Sequence, residues 1–284
     1  MIEKQNTSTI HTPIQKKRFD GRGSRELRPL SLEYDAFGYA ASSVYLCQGN
    51  TKVLCAITLQ PSVPHFLRGQ GTGWLTAEYS MLPSATQQRS LREASQQQRN
   101  SRSIEISRII GRCLRTCVDL RAFGEQTIII DCDVLQADGG TRVACITAAS
   151  LALKEACLRW YKQGLTKSNI FKELVYAISV GIVHEEIYLD LAYYEDSNAS
   201  ADFNFITTES GNILEIQGTA EKQAIPWKTF EQLKDVAVEG ISALIASCSQ
   251  KIPSVSESIP MYHNPISSKQ KSSLFSIGHR VHHK

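Results

Sequence analysis

The stretch DCDVLQADGGTR, Asp131 to Arg142, follows the apolar run Thr127 to Ile130 and precedes a long helical pattern from Val143 to Trp160. It therefore reads as a strand, a Gly-Gly turn and a helix start. With the two-residue period of a strand, Ile128, Ile130, Cys132 and Val134 fall on one face, and Ile129, Asp131 and Asp133 on the other. Gly139 and Gly140 permit a sharp turn and a close approach of backbone N–H groups to a ligand. Thr141 adds a hydroxyl, Arg142 a planar cationic fork, and the helix start unpaired donors with partial positive charge. Together these residues suit an anion, phosphate above all. The same residues also read as an ordinary strand-to-helix turn with Thr141 as N-cap and Arg142 on the surface.

Composition narrows the context. The chain has 284 residues, 42% apolar and 21% charged, enough for a sizeable core. No apolar run approaches the roughly 18 residues of a membrane span, so no membrane role is expected. The polar segment from Met1 to Arg18 lacks the apolar region of a signal peptide. Eight cysteines, most within apolar runs and none in a CxxC pair, disfavour zinc ribbons and suggest free buried thiols in a reducing cytoplasm. Of seven histidines, four lie in the last 22 residues, and only His65 and His184 lie in the expected core. Histidine-based acid–base chemistry thus has few candidates.

The net charge of +3 is unevenly spread. Between Ser84 and Arg115 stand Arg89, Arg92, Arg99, Arg102, Arg108, Arg112 and Arg115 against Glu93 and Glu105. Arginine without lysine at this density reads as a surface for a polyanion, with a solvated helix face as the plainer alternative.

Taken in order, residues 1–17 read as a disordered tail, and RFDGRGSRELRPL, Arg18 to Leu30, as a loop entering the fold. A hairpin is expected from strands over Phe37–Cys47 and Lys52–Leu59 around Gly49-Asn50. Trp74 to Met81 is a strand, and the 19 residues from Ser84 to Arg102 form a long, arginine-rich loop. From Ser103 the period turns helical, with Ile106, Ile109, Ile110, Cys113, Leu114 and Cys117 on one stripe. A helix is predicted from Thr141 to about Lys162, its Ala, Leu and Cys content suiting burial between other elements. Strands follow over Leu174–Val183, Ile187–Tyr194, Phe203–Thr208 and Ile213–Ile216, then an amphipathic helix from Trp227 to about Ala246. Residues 250–284 read as a disordered Ser/Lys/His-rich tail. The order gives a mixed α+β fold of two similar halves, each a mixed sheet packed by helices.

A second site emerges at YYEDSNASADFNF. Asp196 and Asp202 flank a small-residue turn at the mouth of a strand, where two carboxylates can hold a hard cation such as Mg2+ or supply a general acid. An ordinary turn capped by these aspartates is the alternative.

At this point the motifs RFDGRGSRELRPL, GWLTAEYSMLP, EISRIIGRCLR, DCDVLQADGGTR, SVGI, EDSNASAD and EIQGTAE together resemble the bacterial ribonuclease PH family, in register from about Arg18 to Ile245. The resemblance implies a single ribonuclease PH-type domain over 18–249, built of two related β-α halves and assembled as a homohexamer, a trimer of dimers. It implies a cytoplasmic, phosphorolytic 3′-to-5′ exoribonuclease that trims tRNA precursor 3′ ends and other structured RNA 3′ tails. Inorganic phosphate is then the co-substrate and Mg2+ the metal. By matching motif positions, Arg102, Gly140, Thr141 and Arg142 hold phosphate. Asp196 and Asp202 carry metal binding and leaving-group protonation, and Arg89 and Arg92 contact RNA.

The chain departs from that pattern at Ser84, where the family usually has arginine, and in the arginine loop, which reads Gln96-Gln97-Gln98 and Asn100-Ser101 in place of glycines. Ser107 stands in EISR for the usual EIQR, and Lys222 follows TAE in place of glycine. The first two departures bear on RNA affinity and loop order. A non-catalytic ring subunit would lack some of the proposed groups, and all are present. A hydrolytic nuclease would need a denser carboxylate cluster than the sequence offers.

Overall fold

The computed structural model describes residues 18–93 and 100–251. Its first half contains β1 (Leu30–Tyr34), β2 (Ser42–Gln48), β3 (Thr51–Gln60), β4 (Trp74–Met81), α1 (Ser101–Leu114), α2 (Leu120–Phe123) and β5 (Thr127–Gln136). α3 (Thr141–Lys162) leads to β6 (Val175–Val183), β7 (Glu186–Leu189), α4 (Tyr193–Asp196), β8 (Ala201–Thr208), β9 (Ile213–Ala220) and α5 (Trp227–Ser249). The strands form a 5-stranded sheet of order β1-β2-β3-β5-β4 and a 4-stranded sheet of order β7-β6-β8-β9. Among the described residues only β4 and β5 run parallel, and α1 supplies the crossover that a parallel pair requires.

Ile128, Ile130, Cys132 and Val134 are buried, so β5 presents to the core the face that its alternation predicts. α3 packs on β2 and β3 of one sheet and on β6 of the other. Its small residues Ala144, Ala148, Ala149, Ala152 and Ala156 allow that double burial. Two hydroxyls on this helix satisfy strand donors that no neighbouring strand reaches: Val175 N–H donates to Ser150 Oγ at 2.8 Å and Ala177 N–H to Thr147 Oγ1 at 3.2 Å. One hydrophobic cluster runs through both halves, from Val44 and Ile57 to Ile206 and Leu244. α5 covers the second sheet with Leu233, Val236, Ala237, Ile241 and Leu244. Among the described residues no helix is long and apolar enough to cross a membrane.

Several expectations change. An unexpected strand, β1, directly follows the expected entry loop; its outward polar residues hide a strand that pairs with β2 along one edge only. The strand expected from Phe37 begins at Ser42. That expected over Ile187–Tyr194 stops at Leu189, because Asp190 sits at φ 54, and Tyr193 and Tyr194 open α4 instead. His65, in a short 3-10 helix, and His184, at a turn, are exposed and not in the core. The remaining tail residues, with His279, His282 and His283, and Gln96 to Gln98 with Arg99 lie outside the described residues.

β9 carries a glycine where its partner needs room. Gly218 is opposite Phe203, and an added Cβ would lie 2.0 Å from Phe203 Cδ1. The ring instead joins Phe205 and Phe230 at centroid distances of 6.2 and 5.7 Å. Gly218→Ala is therefore expected to cost about 1–3 kcal/mol, the usual range for overpacking, as a lower midpoint in denaturant unfolding.

Candidate active site

The end of β5 delivers the chain to the expected turn, with Gly139 at φ 77 and Gly140 at φ 66. Both values lie where a side chain is strained. The close approach at Gly139 is to protein, not to open space for a ligand: a Cβ there would lie 2.6 Å from Leu191 O and 2.7 Å from Tyr193 N. α3 then starts without a side-chain cap, with Gly140 and not Thr141 in the capping position. By contrast α1 is capped by Asn100, whose side chain accepts from Arg102 N–H at 2.9 Å. The first donors of α3 are thus left for another acceptor.

Thr141 Oγ1 lies 3.0 Å from the hydroxyl of Tyr79, which orients it. Burial, followed by the neighbouring Cys145, raises the Tyr79 phenol above its ordinary range, so it serves as a neutral hydrogen-bonding group. The Arg142 guanidinium donates to Gln217 Oε1 and lies 3.8 Å from Glu105. Gln217 is on β9 and Glu105 on α1, and Arg112 of α1 pairs with Glu215 of β9 at 2.7 Å. α1 and β9, from different halves, therefore frame the arginine together.

The acidic pair faces the same space. Desolvation raises the Asp196 carboxyl above its ordinary range, followed by repulsion from Asp202. Arg102, and more weakly Arg142, oppose this rise. Desolvation also raises Asp202, followed by repulsion from Glu221, with Arg142 and Arg102 again opposing. Although Asp196 is solvent-accessible, enough protein surrounds it for desolvation to dominate. The fold thus brings together Arg102, Thr141, Arg142, Asp196 and Asp202, with Gly140 at the helix start.

Arg89 and Arg92 stand elsewhere. Both are exposed, and the charge of Arg92 acts on Asp133, on the outer face of β5. A cavity of about 800 Å3 lies on that same outer face, lined by Glu78, Arg108, Arg112, Asp131 and Asp133 among others. Ser84 is exposed, but its neighbour Ala85 accepts from Ala137 N–H at 2.8 Å. The start of the arginine loop is therefore tied beside the glycine turn, closer to it than chain separation suggests.

Sequence reasoning missed Tyr79, Glu105, Gln217 and Glu221. The signal for two of them was present in EIQGTAE, where Glu215, Gln217 and Glu221 recur at even spacing, as one face of a strand would show them. Glu221 adds a third carboxylate whose charge acts on both Asp196 and Asp202.

A mixed two-sheet frame with an uncapped helix start, paired arginines and clustered carboxylates defines a class that acts on phosphate esters. The chain belongs to the 3′ exoribonuclease family: domain 1 of that family matches residues 26–159 and domain 2 matches residues 173–240. It is 49% identical to Ribonuclease PH of Bacillus subtilis (strain 168) over 229 residues, which are 80% of this chain and 94% of that one. The fold is similar to a chain of the Archaeoglobus fulgidus exosome with RNA bound to the active site, with TM-score 0.69 and 21% identity over 82% of this chain and 92% of that one. It is also similar to a chain of an archaeal exosome core, with TM-score 0.64 and 20% identity over 82% and 91% of the two chains.

The raised carboxyls make a stability test possible. A carboxyl raised in the fold is disfavoured as its anion, so the fold carries a penalty above the ordinary value that is absent well below it. Asp202→Asn should therefore raise the melting temperature at neutral pH, in buffer free of phosphate and divalent cations. The gain should shrink as pH falls below the ordinary value of 3.8. Melting curves of both proteins across pH 3 to 8 check this. A gain that persists at the acid end would contradict desolvation and like-charge repulsion of the anion as its cause.

Proposed function

We propose that this chain trims RNA 3′ ends by phosphorolysis, with inorganic phosphate as the attacking group. The observation that carries the reading is the juxtaposition of Arg102, Arg142, Thr141 and the uncapped start of α3 with carboxyls that resist ionisation. An anion must be gathered and neutralised on one side of the reacting phosphorus, and a leaving oxygen must be protonated or neutralised on the other. A phosphate oxygen attacks the last phosphodiester, the bond to the preceding 3′ oxygen breaks, and a nucleoside 5′-diphosphate leaves. Asp202 or Asp196, whose carboxyls desolvation and then nearby carboxylates raise above the ordinary range, delivers a proton to that 3′ oxygen. A diphosphate product keeps most of the bond energy, so the step is reversible.

Asp196, Asp202 and Glu221 are oxygen donors whose mutual repulsion a dication would relieve, which suits Mg2+. When bound, the ion would supply charge neutralisation at the leaving oxygen. Thiol chemistry is not needed: among the described residues every cysteine is free, and only Cys47 is not fully buried. Such thiols support a cytoplasmic setting. The substrates are tRNA precursors and other structured RNA 3′ tails, gripped in part by Arg89 and Arg92. The working form is a homohexamer, a trimer of dimers. Residues 18–249 act as one unit, supported by the core shared between the halves, and the flanking tails lie outside it. The hydrolytic alternative gains a carboxylate in Glu221, but the paired arginines favour an anionic attacking group over water.

Incubation with a 3′-extended RNA, with and without phosphate, separates these readings. Nucleoside diphosphate released only with phosphate supports phosphorolysis, monophosphate released without it supports hydrolysis, and no release marks a binding subunit. Asp202→Asn is expected to cut turnover about 10²–10⁴-fold, as for loss of a general acid. Arg142→Lys keeps the charge and loses the fork, so it should raise the phosphate KM with little change in RNA affinity.

Ser84→Arg is expected to tighten tRNA binding and steepen the slope of log affinity against log salt by about 0.7–0.9, one phosphate contact's worth. Salt-titrated binding alongside sedimentation reads both effects. An unchanged slope with an altered oligomer size would place residue 84 at a subunit contact instead.

A further inference from the structure

We propose that the segment from Arg18 to Arg28 is a strap that sets the distance between the phosphate turn and the acid-bearing helix, with Arg28 and Asp190 as positioning residues. The proposal rests on the phosphorolytic reading above. RFDGRGSRELR is the one strong motif to which that reading assigns no work.

Arg28 and Asp190 are both buried, with side-chain exposures of 4% and 0%. The guanidinium forks onto the carboxylate, Nη2 to Oδ1 at 2.7 Å and Nε to Oδ2 at 3.1 Å, and Arg28 N–H adds a bond to Oδ2 at 2.8 Å. The remaining nitrogen turns to the phosphate turn, where Nη1 donates to Asp138 O at 2.6 Å. Thr51 completes the hold, donating to Gly139 O at 2.6 Å and accepting from Asp138 N–H at 3.1 Å.

A trans peptide points its carbonyl and its N–H in opposite directions. Holding the carbonyls of Asp138 and Gly139 on the strap side therefore aims the N–H groups of Gly139 and Gly140 away from it. Arg28 thus acts on the anion site without touching the anion. Its own charge is matched by Asp190, so its contribution is geometric.

The other end of the strap grips the approach to Asp196. Arg18 bridges to the Glu195 carboxylate and donates to Leu189 O at 2.7 Å and Asp190 O at 3.0 Å. Glu195 also accepts from Ala192 N–H at 3.0 Å, and Arg22 donates to Asp190 O at 3.1 Å. The two ends meet where Asp138 Oδ1 accepts from Tyr193 N–H at 3.3 Å, the first residue of α4. The strap thus holds in one rigid network the residues directly before Thr141 and directly before Asp196.

Kinetics in which phosphate and RNA are varied separately test this. A misplacement near 1 Å costs about 10²-fold in a positioned reaction. Arg28→Lys and Asp190→Asn are therefore expected to raise the phosphate KM about 10- to 100-fold, with the RNA dissociation constant within about twofold of wild type. Glu195→Gln should lower kcat and leave the phosphate KM within about twofold, because it loosens only the acid end. Lowered melting temperatures with an unchanged phosphate KM would reduce the strap to scaffolding and overturn the proposal. Should Arg28→Lys fail to fold, Thr51→Val removes a single hydroxyl from the same hold and should raise the phosphate KM about 5- to 30-fold, the equivalent of one to two hydrogen bonds. No change in that variant overturns the proposal equally. If the wild-type protein degrades RNA without phosphate, the functional reading fails. Calorimetry of inorganic phosphate binding to these same variants then decides the strap on its own.

Discussion

A carboxylate sealed from water is the constraint on which this architecture turns. Burial pushes Asp190 toward its neutral form, yet the charge and hydrogen bonds of Arg28, joined by the charge of Arg22, outweigh it and hold the carboxyl below its ordinary range. Removing one partner from such a pair leaves an uncompensated buried charge, which costs about 3–5 kcal/mol. The stability contributed by Asp190 is present above its unfolded value near 3.8 and is lost as pH falls through the lower folded value. The residue occupies a strained position at φ 54, where the chain leaves β7 for α4. Its pairing stabilises both the junction of the two halves and the turn that opens α3.

Carboxyls elsewhere are shifted the other way, and the contrast separates scaffold from chemistry. Asp196 and Asp202 are raised because desolvation and like charge act on them while the arginines only partly offset both. Asp190 and Glu195, by comparison, are enclosed by arginine forks. Acids whose desolvation is only partly offset are costly to keep, and groups perturbed in this way cluster at functional sites.

The site also depends on an asymmetry of helix starts. One N-terminal donor of α1, the Arg102 N–H, is met by the Asn100 side chain, while α3 has no side-chain cap. Placing α3 between the two sheets brings that open end up to elements of the second half. β9 is then tied to α3 by Arg142–Gln217 and to α1 by Arg112–Glu215. One domain of the family would hold the anion-binding group without the acids, and the other the acids without the anion-binding group.

Local pattern alone determined the strand from Thr127, the glycine turn and the helix from Thr141, because alternation, a two-glycine break and a helical period are short-range properties. It also marked Thr141 with Arg142 and Asp196 with Asp202 as candidate sites, since residue type and spacing suffice for that, whereas Arg102 joined the anion site only through the family resemblance. It misjudged Tyr193 and Tyr194, because what ends β7 is the backbone of Asp190, held by arginines 162 and 168 residues away. It missed Glu221 and Gln217 for the same kind of reason: their charge and hydrogen bonds reach the site through space from another strand. Whether Gly139 faces a ligand or a neighbouring backbone was likewise settled only when Leu191 and Tyr193 packed against it. Electrostatic and steric partners fall off with distance in space and not along the chain, so tertiary structure alone could decide which acids are neutralised and which are left only partly offset.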